Sequence, residues 1–115
     1  MATKHEGPVQ KISDLLFFDN LALYYLVERC PVPVMGRVFN SADARLTGSM
    51  LGVMNPQQRT LTHASMVKEN DGIEELNREA LAALLILAND LCARGLVRKE
   101  GLHFFGTPAN QALQP

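Results

Sequence analysis

Between Ser13 and Cys30 the apolar positions fall at helical spacing. Leu15, Phe18, Ala22 and Leu26 recur at intervals of three and four, and Phe17, Leu21 and Tyr24 form a second set beside them. Ser13 is placed to cap that helix and Asp14 to favour its positive end, while Asp19-Asn20 marks a point where the run would divide into a short piece and a longer one. Pro31 and Pro33 end it, because a residue before proline is pushed out of the α region and proline cannot donate a hydrogen bond. PVMGRVFN then reads as a short extended segment, with Val34, Val38 and Phe39 as its apolar content. Ser41 predicts the cap of a helix through ADARLTGSMLGVM, with Ala42, Leu46, Met50 and Val53 or Met54 on one side. Asn55-Pro56 has the form of a cap followed by proline at the first helical position, which predicts a helix through QQRTLTHASMV. The alternation around Leu61, His63, Ser65 and Val67 fits a strand nearly as well. KENDG, residues 68–72, reads as a polar turn in which Gly72 can take a positive φ.

The strongest pattern predicts a helix from about Ile73 to Arg94, within which the nine residues 80–88 are all apolar. At about 100° per residue, Leu76, Ala80, Ala83, Leu84, Leu87 and Leu91 make one stripe, and Leu81, Leu85, Ala88 and Cys92 make a second. Two stripes need two partners. The chain's own core supplies the first, and the expectation for the second is a further helix of this chain, a second copy, or another protein. Gly95 stands where a left-handed helix C-cap belongs, with Arg94 suited to the negative end of the dipole. LVRK and LHFF then alternate around Glu100-Gly101, which predicts a tight hairpin with Gly101 at a positive φ.

Length and composition narrow the picture. A chain of 115 residues with 47% apolar and 20% charged content is expected to fold as one domain. The expected organisation is an N-terminal arm over 1–12, a domain over 13–107 and a tail over 108–115. Lys and Arg total 11 against 12 Asp and Glu, a formal net charge of −1, so no global positive field draws the chain toward phosphate. No apolar run reaches membrane-spanning length, and the start MATKHEGPVQ lacks the apolar stretch of a leader, so a cytoplasmic protein is expected. Cys30 and Cys92 have no metal-ligand spacing and are expected as reduced, packed thiols.

The stretch REALAALLILANDLCARGLVRKEGLHFFGT, about the last third of the chain, resembles the third helix and wing of winged-helix regulators, in which a recognition helix ends in an RGL step and a basic wing follows. The resemblance implies DNA-facing roles for Asn77 and Arg78 early on the helix and for Arg98, Lys99 and His103 on the wing. The charge pattern departs from that family. From Lys68 to Glu100 there are five cations (68, 78, 94, 98, 99) and seven carboxylates (69, 71, 74, 75, 79, 90, 100). Glu74, Glu75 and Glu79 would face phosphate where cations and amides are required.

Chemistry-bearing motifs are scarce. His5, His63 and His103 lie in separate segments, and neither GxSxG, a P-loop nor a dinucleotide glycine pattern occurs. The early acids Glu74, Glu75 and Glu79 answer the helix dipole. Met35, Met50, Met54 and Met66 are expected to fill the core, with an adaptable binding surface as the other reading. The sequence therefore predicts a mainly α, small helical domain ending in a β-hairpin, winged-helix-like in outline, with no cofactor and no metal. The expected function is that of a non-enzymatic regulator binding another protein, a transcription factor or a second copy of itself, through Leu81, Leu85, Ala88 and Cys92. The rival expectation is a DNA-binding regulator using Asn77, Arg78, Arg98, Lys99 and His103.

Overall fold

The computed structural model describes residues 7–108. Among them the chain is mainly helical and ends in an antiparallel two-stranded hairpin. A 3-10 helix, Ile12–Phe17, precedes α1 (Asn20–Arg29), α2 (Val32–Ser41), α3 (Ala44–Gly52), α4 (Pro56–Lys68) and α5 (Glu74–Ala93). Strands β1 (Val97–Glu100) and β2 (His103–Gly106) follow. The first apolar run divides at Asp19, whose carboxylate accepts the Ala22 N–H at 2.8 Å and so caps α1. Leu15, Phe18, Ala22 and Leu26 are all buried, as one apolar face requires.

PVMGRVFN is helical, not extended: it lies within α2. Pro33 falls in the first turn, where no N–H is needed, and Met35, Val38 and Phe39 turn inward at helical spacing. The expected cap at Ser41 is also displaced. Ser41 is the last residue of α2, its hydroxyl donating to the Arg37 carbonyl at 2.8 Å, and Asp43 caps α3 by accepting the Arg45 N–H at 2.7 Å. α4 is a helix, as its Asn55-Pro56 start predicts. Asn55 accepts the Gln58 N–H at 2.7 Å and Gln58 returns the bond to the Asn55 N–H at 2.8 Å. Met35, Met50 and Met54 belong to the core, and Met66 packs against it half-buried.

α2 is the central helix, packed between α4 and α5. α4 buries only Thr62 and Ser65 fully, so its hold on α2 depends on close approach. At Gly36 a methyl group would overlap the Ser65 side chain and lie 2.8 Å from the Ser65 carbonyl carbon. Ser65 in turn donates to the Val32 carbonyl at 2.9 Å. From the next residue of α2, the buried Arg37 guanidinium reaches the turn between α4 and α5. It pairs with both oxygens of Asp71 at 3.0 and 2.6 Å, meets Glu69 at 3.1 Å, and donates to the Asn77 side-chain oxygen Oδ1 at 3.1 Å.

From Ala80 onward both apolar stripes of α5 turn into the body of the chain, while Leu76 at the start of the first is 37% exposed. Leu84 and Leu91 of the first are fully buried, and Leu85 and Ala88 of the second are 5% and 0% exposed. The second partner required by the sequence pattern is thus supplied in large part from within. Val9, placed in the arm by the sequence reading, is fully buried and held by Asn89 of α5. Residues 1–6 of that arm and 109–115 of the expected tail lie outside the described residues.

Two outcomes follow for the α2 contacts. Gly36→Ala overfills the α2–α4 contact and lowers stability by about 1–3 kcal/mol in urea denaturation. The Arg37 guanidinium, with the Ile73 N–H adding to it, holds the Asp71 carboxyl down to about 2. A depressed folded-state value stabilises above the ordinary carboxylate range and loses that contribution as pH falls from about 4 to about 2. Over this interval the wild-type protein loses stability more steeply than Asp71→Asn, read as melting temperature against pH.

Candidate functional site

The hairpin is placed by glycines and by polar ties to α1. Gly95 at φ 75° ends α5, and Gly101 at φ 64° turns the chain between the facing residues Glu100 and His103. Asp19 holds the outer edge of β2: its N–H donates to the Phe104 carbonyl at 2.9 Å, and its carboxylate accepts the Gly106 N–H at 3.0 Å. A methyl at Gly106 would come within 2.7 Å of the Ala22 nitrogen, so β2 lies directly on α1. Phe104 packs on Phe18 with ring centres 4.8 Å apart, and the Tyr25 hydroxyl donates to the Thr107 carbonyl at 2.5 Å.

On the other side of the hairpin, an open groove of about 880 Å³ runs between α5 and β1. Its α5 wall presents Ile86, Cys92 and Ala93, its strand wall Val97, Arg98 and Lys99, and its end is formed by Gly7 and Pro8. Ile86 lies in the middle of the apolar run yet is 63% exposed. With Ala82 it is one of the two residues in 80–88 that neither stripe accounts for, and the larger of them. Asn89 fixes the end wall: its side-chain oxygen accepts the Val9 N–H and its amide donates to the Val9 carbonyl, each at 2.8 Å. Gly7, at φ 117°, passes so close to Asn89 that a side chain has no room there.

The sequence-derived candidates disperse. Leu85 and Ala88 are core residues and cannot line a contact, while Leu81 packs half-buried against the core. Cys92 alone of that set reaches the groove, and partial burial pushes its thiol above the ordinary range. Cys30 is a second free thiol, pushed up to about 12 by burial. Among the DNA-facing candidates, Asn77 is engaged by Arg37, and Arg98 pairs with Glu100 at 2.6 Å. Lys99 stands 5.7 Å over the Phe104 ring, and His103 sits edge-on to Phe17 and stacked on Phe105. Arg78 is exposed on the first half of α5, the half that also carries exposed Glu74, Glu75 and Glu79. Ile86, Asn89 and the Gly7-Pro8 wall escaped the sequence reading. Asn89 carried a signal, as the first amide after an unbroken apolar run.

Among the described residues, no three His, Cys, Asp or Glu side chains gather where a metal ion could sit, and no helix is long and apolar enough to cross a membrane. No protein-family model, curated protein or solved structure matches the chain.

The end wall has a measurable dependence on one side chain. Asn89→Ala leaves the buried Val9 N–H and carbonyl without partners, at a cost of about 2–4 kcal/mol. Hydrogen exchange checks it directly: the Val9 amide loses protection in the variant while the α1 amides keep theirs.

Proposed function

We propose that the chain is a regulatory binding protein that holds a segment of another protein in the groove between α5 and β1. The observation that carries this reading is Ile86, a large apolar side chain 63% exposed between the buried residues Leu85 and Ala88, on the α5 wall of an open groove. An exposed apolar side chain in a concave site, flanked by polar groups that set orientation, is the arrangement by which proteins capture partner side chains. Of the charged residues that line the groove, Arg98 is paired with Glu100 and Asp90 with Arg94, so Lys99 gives the rim a cationic character that favours a partner carrying carboxylates. The resemblance of the last third to winged-helix regulators supports a partner in the transcription machinery. The DNA-binding rival receives less support, since Asn77 and Arg98 already have partners within the chain.

Selection from a random peptide display library tests the reading, with Ile86→Asp as the counter-screened variant. Ile86 is surface-exposed, so the variant keeps its fold, checked by circular dichroism. Selected peptides are expected to bind the wild-type protein and to bind Ile86→Asp at least about tenfold more weakly, a difference of about 1.4 kcal/mol. Selected peptides that bind both proteins equally would overturn the assignment of the groove.

A further inference from the structure

The two edges of the hairpin are treated differently. In an antiparallel pair, residues alternate between those whose peptide groups bond the facing strand and those whose peptide groups point outward. The register pairs Val97 with Gly106 and Lys99 with Phe104. The Thr107 N–H donates to the Leu96 carbonyl at 2.8 Å, which makes Leu96 a bonded position and therefore Arg98 and Glu100 as well. The Phe104 carbonyl and Gly106 N–H point the other way, out to Asp19. By the same alternation, the N–H and carbonyl of Val97 and Lys99 point away from β2.

Asp19 and Phe18 close the outer edge of β2. Among the described residues the outer edge of β1 has no such cover. Val97, Arg98 and Lys99 all line the groove although side chains alternate between faces, so the groove runs along the backbone edge itself and not over one face. Val97 is 2% exposed, whereas Lys99 is exposed and its outward peptide groups meet no hydrogen-bonding partner among the described residues.

We propose that the groove receives its partner as an extended strand added to β1, with main-chain hydrogen bonds to the N–H and carbonyl of Lys99. This rests on the groove being the binding site proposed above and specifies the form of what binds there. Alternate side chains of the added strand turn onto Ile86, Cys92 and Ala93, which gives selectivity for apolar residues at every second position. The cations select against self-pairing. Two copies joined antiparallel with the symmetry axis on Arg98 or on Lys99 would set like charges face to face, the guard that charged edge strands provide. Arg98 is balanced by Glu100 and Asp90 of the groove by Arg94, which leaves Lys99, set over the Phe104 ring, as the groove charge without a carboxylate partner among the described residues. The occupant is therefore an extended peptide alternating apolar and acidic residues, and not a second copy of this chain.

The probe is a blocked hexapeptide of alternating valine and glutamate, titrated into the full chain by fluorescence anisotropy. Two analogues carry N-methyl groups on the valine nitrogens or on the glutamate nitrogens. Because only one parity of a strand faces β1, one analogue is expected to bind at least about tenfold more weakly than the parent and the other about equally. Lys99→Pro supplies the matching change in the protein. It removes an outward N–H and leaves the β1–β2 ladder intact, so it weakens the probe about tenfold beyond Lys99→Ala, which removes the charge alone. Equal binding by both analogues, or equal binding by Lys99→Pro and Lys99→Ala, overturns the strand mode. If Ile86→Asp still abolishes binding in that case, the groove remains the site. A probe that does not bind wild-type protein overturns the strand proposal, while the display selection decides the groove independently.

Discussion

A buried guanidinium must have its donors satisfied, and Arg37 meets that requirement in a way that sets much of the architecture. Its partners are Asp71, Glu69 and Asn77, which span the end of α4, the turn and the start of α5. Arg37 belongs to α2, the helix between α4 and α5, so one side chain ties three helices and the turn joining two of them. A fork of fixed donors matched to a carboxylate admits little variation in angle, which makes the pairing directional as well as attractive. Once the start of α5 is held there, the rotation of that long helix is constrained, and with it the face that looks outward at Ile86.

Polar ties do the same for the elements around the groove. Asn89 holds residues 7–9 across α5 with a reciprocal pair of bonds to Val9, and Asp19 holds β2 against α1 while capping that helix. Each tie joins residues eighty or more positions apart and fixes a backbone path that apolar packing alone would leave free to slide. The groove is the space left when β1 is drawn toward α5 at Gly95 and β2 is secured on α1. Its open edge is a consequence of this asymmetry: among the described residues β2 has neighbours on both edges and β1 on one.

Local features were legible where a single residue type decides the backbone. Asn55-Pro56 starts α4, and Gly72, Gly95 and Gly101 each adopt the positive φ that their turns require. Asp19 divides the first apolar run at the place its capping side chain indicates. α2 was not legible, because its β-branched residues and proline pair favour extended structure locally, whereas the need to bury Met35, Val38 and Phe39 on one side favours a helix. Of the candidate contact stripe, only Cys92 reaches the groove. Periodicity records that Leu85 and Ala88 must be covered but not by what.

What the sequence determined by itself is the order of α1, α3, α5 and the hairpin, the glycine turns at Gly72, Gly95 and Gly101, the amphipathic spacing of those three helices, and a charge balance unsuited to phosphate. Those properties depend on residues within a few positions of one another, through backbone conformation and helical repeat. Only the tertiary structure decided which apolar residues of α5 stay in water, that α2 is a helix, that Asn77 and Arg98 are engaged, and that one strand edge is open. Those depend on contacts between distant segments, since burial and hydrogen-bond satisfaction are set by whatever the fold brings alongside.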